Sequence, residues 1–444
     1  MRKKQRTPRV LSIFADRRAA YAALVSLLIL QMLWLRWMDV LALSNMRVGG
    51  VDPIGYYVYL PSLIFDRDLD FAAEYAYFQG IGDASPDQER TVTGKMPNPF
   101  AIGVAMLWLP FFLIGHLAAL AAGLPADGLS PPYQIAVYLG NVVYGFAGIV
   151  LIYRLIQREF ARDIALLATV VIWFTSGVLY YLFPLVPMSH MPSMFIVALL
   201  ITTWFAWRDQ PTRQGYLALG VVAGLAALVR WQNALFLVLP GADILSAARR
   251  RGVDRNLALN ALTTGAAFLV LFFPQMVVWK VLYGSFITVP QGAGFLSWFK
   301  PDFFDVLFSS RHGLFSWTPI ILLAVIGLFM FPREKRTVGY LLAAAFALQL
   351  YINSVAVWVG WSFGMRRFIN CSALFGLGLA ALLTKLQQHI RLRYLVLIAV
   401  LPIIWNMLFV VQYYSGWMIP RDDYLTFEQF VLDKFTTLML LLTR

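Results

Sequence analysis

The chain has 444 residues, of which 60% are apolar and only 13% charged, and a mean hydropathy of +0.69. A soluble domain carries about half apolar and about a quarter charged residues, so this composition excludes an ordinary cytosolic enzyme and defines a membrane protein. The 36 Lys and Arg against 23 Asp and Glu leave a net +13, which in so apolar a chain marks cytoplasmic connections rather than a nucleic-acid partner.

The first apolar run follows the basic Met1–Arg6 and ends in Trp34-Leu35-Arg36-Trp37 without a small-residue cleavage site. It reads as a retained helix and not a signal peptide, with residues 1–18 as a cytoplasmic basic N-terminus. A membrane domain over 19–415 follows. Further runs approach the roughly 20 residues that a crossing needs at 99–122, 132–153, 163–183, 192–207, 215–230, 233–247, 257–283, 313–331, 338–358, 367–384 and 393–415. The fold class is therefore an all-α polytopic membrane protein of about 11 to 13 transmembrane helices.

Basic residues set the sidedness. They cluster at Arg17/Arg18, Arg154/Arg158/Arg162, Arg208/Arg213, Arg249–Arg251 with Arg255, Arg333/Lys335/Arg336 and Lys385/Arg391/Arg393. From Arg154 onward every second connection is basic, which places the N-terminus inside. Segment 39–97 carries nine acidic residues against four basic ones and is expected outside. This first outer loop, 39–98, holds the aromatic stretches Tyr56–Leu60 and Phe71–Phe78, which read as short interfacial helices capping the bundle. To join it to the inner Arg154 cluster, 99–153 must cross an odd number of times although it contains two apolar runs. Pro110 is the expected break, splitting the first run into a re-entrant pair. The segment 416–444 reads as extracytoplasmic or interfacial, with Phe427–Leu442 either lying in the interface or crossing once more. No internal repeat is visible.

Ionisable residues near the outer helix ends are costly and so informative. Asp52 follows Gly49-Gly50 and precedes Pro53. Asp then Pro is a helix opening with Asp as N-cap, a role compatible with that of a base. Asp66-Arg67-Asp68 has the pattern of a metal-bound nucleotide site, but the outer face holds no nucleotide pool and such acids are usually solvated. Arg230, Arg311 with His312, and Arg366 with Arg367 occupy separate outer connections against the positive-inside rule, with Lys280, Tyr283 and Lys300 near the same surface. One such residue would be a snorkelling anchor. Several together, beside helix starts and aromatic rings, point to phosphate binding. His190, in a proline-bounded connection, is a candidate for donor or acceptor binding or a satisfied loop histidine. His116 reads as structural. Cys371 stands alone, excluding an internal disulfide.

One carboxylate, an arginine cluster and embedded aromatics suit a lipid substrate carrying a phosphate. The reading is a glycosyltransferase that uses a polyprenyl-phosphate sugar, with Asp52 deprotonating an acceptor hydroxyl for inverting attack and the arginines stabilising the departing phosphate. Tyr56, Tyr57, Lys95, Asn98, His190, Gln232 and Trp361 are the candidate substrate contacts. No cofactor is expected, and a divalent metal is not supported.

At these residues the chain resembles the multispanning GT-C glycosyltransferases, the group that includes protein O-mannosyltransferases and lipid A aminoarabinose transferases. The resemblance rests on Gly50–Tyr57, Tyr59–Ser62, Asp68–Phe71, Thr93–Phe100 with Gly103, Trp108–Phe112, Ser189-His190, Arg230–Asn233, Ser309–Phe315 and Phe363–Phe368, in order along most of the chain. It implies a GT-C-like bundle with a large first extracytoplasmic loop, a catalytic role for Asp52, a bacterial cytoplasmic membrane with the site facing outward, and a glycan, lipid or protein acceptor. Two departures stand out: Asp52-Pro53 replaces the usual acidic doublet, and no soluble outer domain follows the last helix. The rival readings are a transporter or lipid flippase, disfavoured because the charges gather at one face, and a periplasmic polysaccharide polymerase or ligase, disfavoured because the largest outer loop comes first. A purely structural scaffold has no use for Asp52 and the arginines.

Overall fold

A computed structural model describes residues 17–38, 45–83, 89–183, 187–356, 363–415 and 423–443. Among the described residues the regular secondary structure is helical, apart from one isolated bridge between Leu296 and Ala356. Eight helices are long and apolar enough to cross a membrane, and the protein is an all-α polytopic membrane protein. The helices are α1 (Arg17–Trp37), α2 (Val51–Tyr57), α3 (Ala72–Gly80), α4 (Gly103–Ala121), α5 (Pro131–Glu159), α6 (Arg162–Thr175), α7 (Gly177–Leu182), α8 (His190–Asp209), α9 (Arg213–Val229), α10 (Val238–Arg251), α11 (Arg255–Tyr283), α12 (Phe303–Phe308), α13 (Leu314–Trp317), α14 (Pro319–Leu328), α15 (Arg336–Val355), α16 (Ser372–Leu386), α17 (Leu392–Ser415) and α18 (Asp433–Leu442). Several predicted runs are composites: 163–183 is α6 and α7 broken at Ser176, and 233–247 pairs a 3₁₀ turn, Trp231–Leu237, with α10.

Small residues bring the helices close. A Cβ on Gly327 of α14 would lie 1.9 Å from Gly378 O of α16, and one on Gly220 of α9 would lie 2.3 Å from Thr264 O of α11. Such backbone approach is the usual basis of helix pairing where lipid supplies no hydrophobic drive. Buried polar groups are tied across helices: Gln31 of α1 donates to Leu179 O and accepts from Trp173 Nε1, both at 2.9 Å.

The basic clusters collect at one end of the bundle. Arg158 pairs with Asp209, Lys335 with Glu159 at 2.7 Å, and Arg208 with Asp243 at 2.9 Å. A cavity of about 610 Å³ at this end is lined by Arg208, Asp243, Arg250, Arg251 and Lys335 among others. His190 and Asp209 mark opposite ends of the 20-residue α8, which at about 1.5 Å per residue separates them by one hydrocarbon thickness.

Pro110 does not break the chain. It lies inside the continuous α4, where Leu107 O, in the turn opened by the proline, accepts from Tyr144 OH at 2.8 Å. The contacts of α4 bear on the crossing parity. A Cβ on Gly103, at the start of α4, would meet Leu228 and Val229 at the end of α9 beside Arg230, and one on Gly115 would meet Tyr133. So α4 starts at the Arg230 end and runs antiparallel to α5, away from Arg154–Arg162. Both connections of α4 touch the same loop segment: Tyr59 OH donates to Phe100 O at 2.9 Å and Tyr57 OH to Gly128 O at 2.6 Å. Between 99 and 153, α4 and the first half of α5 thus form an antiparallel hairpin that leads away from the Arg230 level, and α5 runs on to Arg154 and Arg158.

The aromatic stretches expected to lie in the interface instead turn inward. Tyr57, Tyr59, Phe71, Tyr75 and Phe78 are buried, since each ring adds apolar area while backbone carbonyls satisfy the hydroxyls, as Pro97 O does for Tyr75. Their packing makes 51–83 a folded cap. Glu74 of α3 is buried within it, and burial first, with Asp66 after it, pushes its carboxyl up to about 8. At the other terminus α18 has ten residues, about half a crossing. It packs on α17, where Lys434 Nζ lies 3.2 Å from the Phe409 ring centroid and donates to Gln412 Oε1 at 2.9 Å.

Candidate active site

The N-cap of α2 is Gly50, not Asp52. Gly50 has φ +78°, a region glycine enters freely, and its carbonyl accepts Ile54 N at 3.2 Å, so the helix opens before the Asp-Pro pair. Asp52 then lies in the first turn with its carboxylate available to a distant partner. That partner is Arg366, whose Nη2 donates to Asp52 Oδ2 at 3.0 Å.

Arg366 and Arg367 open the 3₁₀ turn Arg366–Cys371 that leads into α16. Arg230 is extended (φ −151°, ψ 118°) between α9 and the turn Trp231–Leu237. Its Nη1 lies 3.2 Å from Nδ1 of His190, the first residue of α8. Since a guanidinium only donates, His190 accepts there and keeps its proton on Nε2. The His190 ring meets Tyr181 edge-on at 4.8 Å, and Tyr181 OH accepts from Phe363 N at 2.8 Å, tying the histidine to the segment that carries Arg366. Tyr56 lies among Ser189, Asp52, Arg230 and Arg366. Burial pushes its phenol up while Arg230 draws it down. Arg367 is within electrostatic reach of Arg230, Arg366 and Asp52. Asp52 is the carboxylate acting on all three guanidinium groups. Three cations against one carboxylate leave an excess of positive charge, which is chemistry suited to attracting an anionic oxygen group.

The fold therefore brings together Asp52, Tyr56, His190, Arg230, Arg366 and Arg367. His312 packs on Trp317 with centroids 5.1 Å apart, and Trp317 in turn meets Phe363 at 5.4 Å, on the segment that leads to Arg366. Tyr57 and Asn98 have scaffold partners. Tyr57 OH is held by Gly128 O, while Asn98 donates to Gly55 O at 2.8 Å and accepts from Phe100 N at 3.1 Å. Lys95 is half-buried in a turn closed by Thr91 N on its carbonyl at 2.9 Å. Gln232, two residues after Arg230, is buried. Trp361 lies outside the described residues. Around Asp66-Arg67-Asp68, Asp68 Oδ1 accepts from Asp70 N at 2.9 Å and Ser62 Oγ at 3.1 Å. Among the described residues no group of three or more His, Cys, Asp or Glu side chains is placed to hold a metal ion.

Sequence reading passed over an uncharged polar layer behind the arginines. Asn370 Nδ2 donates to Asn233 Oδ1 at 2.8 Å and to Gln349 Oε1 at 3.3 Å. Asn233 Nδ2 donates to Ser193 Oγ at 2.9 Å and Ala226 O at 3.0 Å, and Gln349 Nε2 to Gln232 O at 2.9 Å. Asn233, Asn370 and Gln349 are buried. The signal was present as a spacing, Arg-x-x-Asn, at Arg230–Asn233 and again at Arg367–Asn370.

A bundle of this kind, with a recessed carboxylate and arginine centre at one end, fits the class of multispanning membrane glycosyltransferases of the GT-C type. The comparison that carries the class is a match of residues 108–293 to the model of the Alg9-like mannosyltransferase family. The matched stretch is about two-fifths of the chain and contains His190 and Arg230 but neither Asp52 nor Arg366 and Arg367. No curated protein matches the chain.

Proposed function

We propose that the protein transfers a sugar from a polyprenyl-phosphate donor to an acceptor hydroxyl on the extracytoplasmic face of a bacterial cytoplasmic membrane, with inversion. The observation that supports this best is the meeting of Asp52 with Arg230, Arg366 and Arg367 about one bilayer thickness from the basic end of the bundle. In this reading the donor phosphate binds between the guanidinium groups and draws Arg366 from Asp52. Asp52 then takes the acceptor proton, the acceptor oxygen attacks the anomeric carbon, and the bond from that carbon to the phosphate oxygen breaks with its electron pair on the phosphate. The growing negative charge falls where the arginines already are, so they bind the transition state more tightly than the donor. A phosphate leaves without protonation, so no second acid is needed, unlike hydrolysis by paired carboxylates. The family matched over 108–293 is named for mannosyl transfer, which makes mannose the first sugar to try. The acceptor is a glycan, a lipid or a protein.

The test is native mass spectrometry of the detergent-purified protein with undecaprenyl phosphate and its monoglycosylated forms, beside the Arg230→Ala variant. Retention by wild type and loss in the variant is the expected result. No retention of any such lipid would overturn the reading and bring a transporter forward.

A further inference from the structure

The two arginine-bearing turns share a plan. Each follows Arg-x-x-Asn, each is a 3₁₀ turn leading to a helix, and each ends its motif on a buried asparagine. In the first, Asn233 N closes the turn on Arg230 O at 2.8 Å. A 3₁₀ turn has three residues per revolution, so Asn370 falls on the side of its turn from which Arg367 extends, whereas Arg230 is extended at the start of its turn and is tied to Asn233 by that backbone bond. The two anchors meet: Asn370 Nδ2 donates to Asn233 Oδ1 at 2.8 Å, across 137 residues of sequence. We infer that Asn233 and Asn370 are positioning residues whose side-chain bond fixes the spacing between Arg230 and Arg367, so that both reach one phosphate group of the lipid donor. The inference rests on the proposed function above.

The physical need is clear from the charges. Three guanidinium groups repel one another in the empty site, and Asp52 opposes only part of that repulsion. Without a link between the turns they would drift apart and require re-ordering when the phosphate arrives. Asn233 is further held by Ser193 and Ala226 O, and Asn370 by Gln349, which grips Gln232 O in the first turn. The link is thus doubled, once by asparagine to asparagine and once through Gln349. These bonds hold the two turns together, while Asn370 Oδ1 and Gln232 Nε2, both buried, have no hydrogen-bond partner among the described residues.

The experiment measures binding of undecaprenyl phosphate, and transfer where a donor is in hand, for wild type, Arg367→Ala, Asn370→Ala and the double variant, with Asn370→Ser keeping a donor at the link. The expected result is about a tenfold weaker affinity in Asn370→Ala, partial recovery in Asn370→Ser, and no further loss when Asn370→Ala is added to Arg367→Ala, because the asparagine acts through the arginine. A higher KM for the donor with an unchanged KM for the acceptor would accompany it. Equal losses in both backgrounds, or a fall in kcat alone that tracks a smaller folded fraction, would reduce Asn370 to a structural residue and overturn the inference. Wild-type affinity in Arg367→Ala together with Arg230→Ala would instead sink the functional reading beneath it.

Discussion

Replacing Asp52 by Asn separates chemistry from binding. The change is nearly isosteric and removes the proton acceptor. Loss of a positioned general base lowers rates by about 10² to 10⁴, or roughly 3 to 5 kcal/mol of transition-state stabilisation at 1.36 kcal/mol per decade. The stability cost is small by comparison. The Asp52–Arg366 pair is partly open to solvent, with side-chain exposures of 34% and 21%, and such a pair is worth about 1 kcal/mol or less. Affinity for the lipid phosphate moves the other way. With the carboxylate gone, Arg366 no longer divides itself between Asp52 and the ligand, so undecaprenyl phosphate binds as tightly as to wild type or more tightly. The assay is transfer from a monoglycosylated lipid phosphate in detergent, run beside native-mass-spectrometry binding and a thermal melt. Turnover within about threefold of wild type, below any known base effect, would refute the assignment of Asp52. Lost turnover with lost lipid binding would show instead that Asp52 organises the site.

Arg230→Ala and Arg367→Ala should each weaken lipid-phosphate binding by at least tenfold, about 1.4 kcal/mol, while leaving the melt within a few degrees. Unchanged affinity in both would make them anchors. Glu74 gives a pH signature: its folded carboxyl titrates near 8 against 4.5 unfolded, so the folded cap binds the extra proton. The stability this gives is complete below about 4.5 and is lost as pH rises through 8, with a slope of at most about 1.4 kcal/mol per unit. Glu74→Gln should flatten that slope and melt higher than wild type at pH 8. Identical pH profiles for the two proteins would refute the buried carboxyl. Gly327→Leu should prevent α14 from seating on α16, seen as loss of monodisperse protein in detergent, since even a Cβ there would sit 1.9 Å from Gly378 O. Gly80→Ala, with nothing within 4 Å, should be silent.

The bundle could be read from sequence because bilayer length and loop charge are one-dimensional quantities. Runs of apolar residues and alternating arginines survive without knowledge of packing. Asp52, Arg230, Arg366 and Arg367 were legible for a related reason: a charge near the outer helix ends costs enough to need a purpose. Asn233, Asn370 and Gln349 were not, because an uncharged amide inside an apolar run stands out little and its partners lie far away in sequence. Tyr57 and Asn98 could not be placed in advance, because an aromatic or amide in a loop looks the same in sequence whether or not it bonds a backbone carbonyl, as both do here. The N-cap assigned to Asp52 failed on a glycine whose positive φ moved the helix start upstream.

The hairpin of α4 and α5 matters for how the chain is inserted. Hydropathy alone would thread α4 through the bilayer, and that pass would put Arg154–Arg162 on the same side as the first loop. A hairpin that stays on one side of the membrane would keep Arg154–Arg162 opposite the first loop, as the positive-inside rule prefers. Reporters fused after Tyr57 and after Ala121 should consequently report the same compartment, and one fused after Glu159 the opposite one.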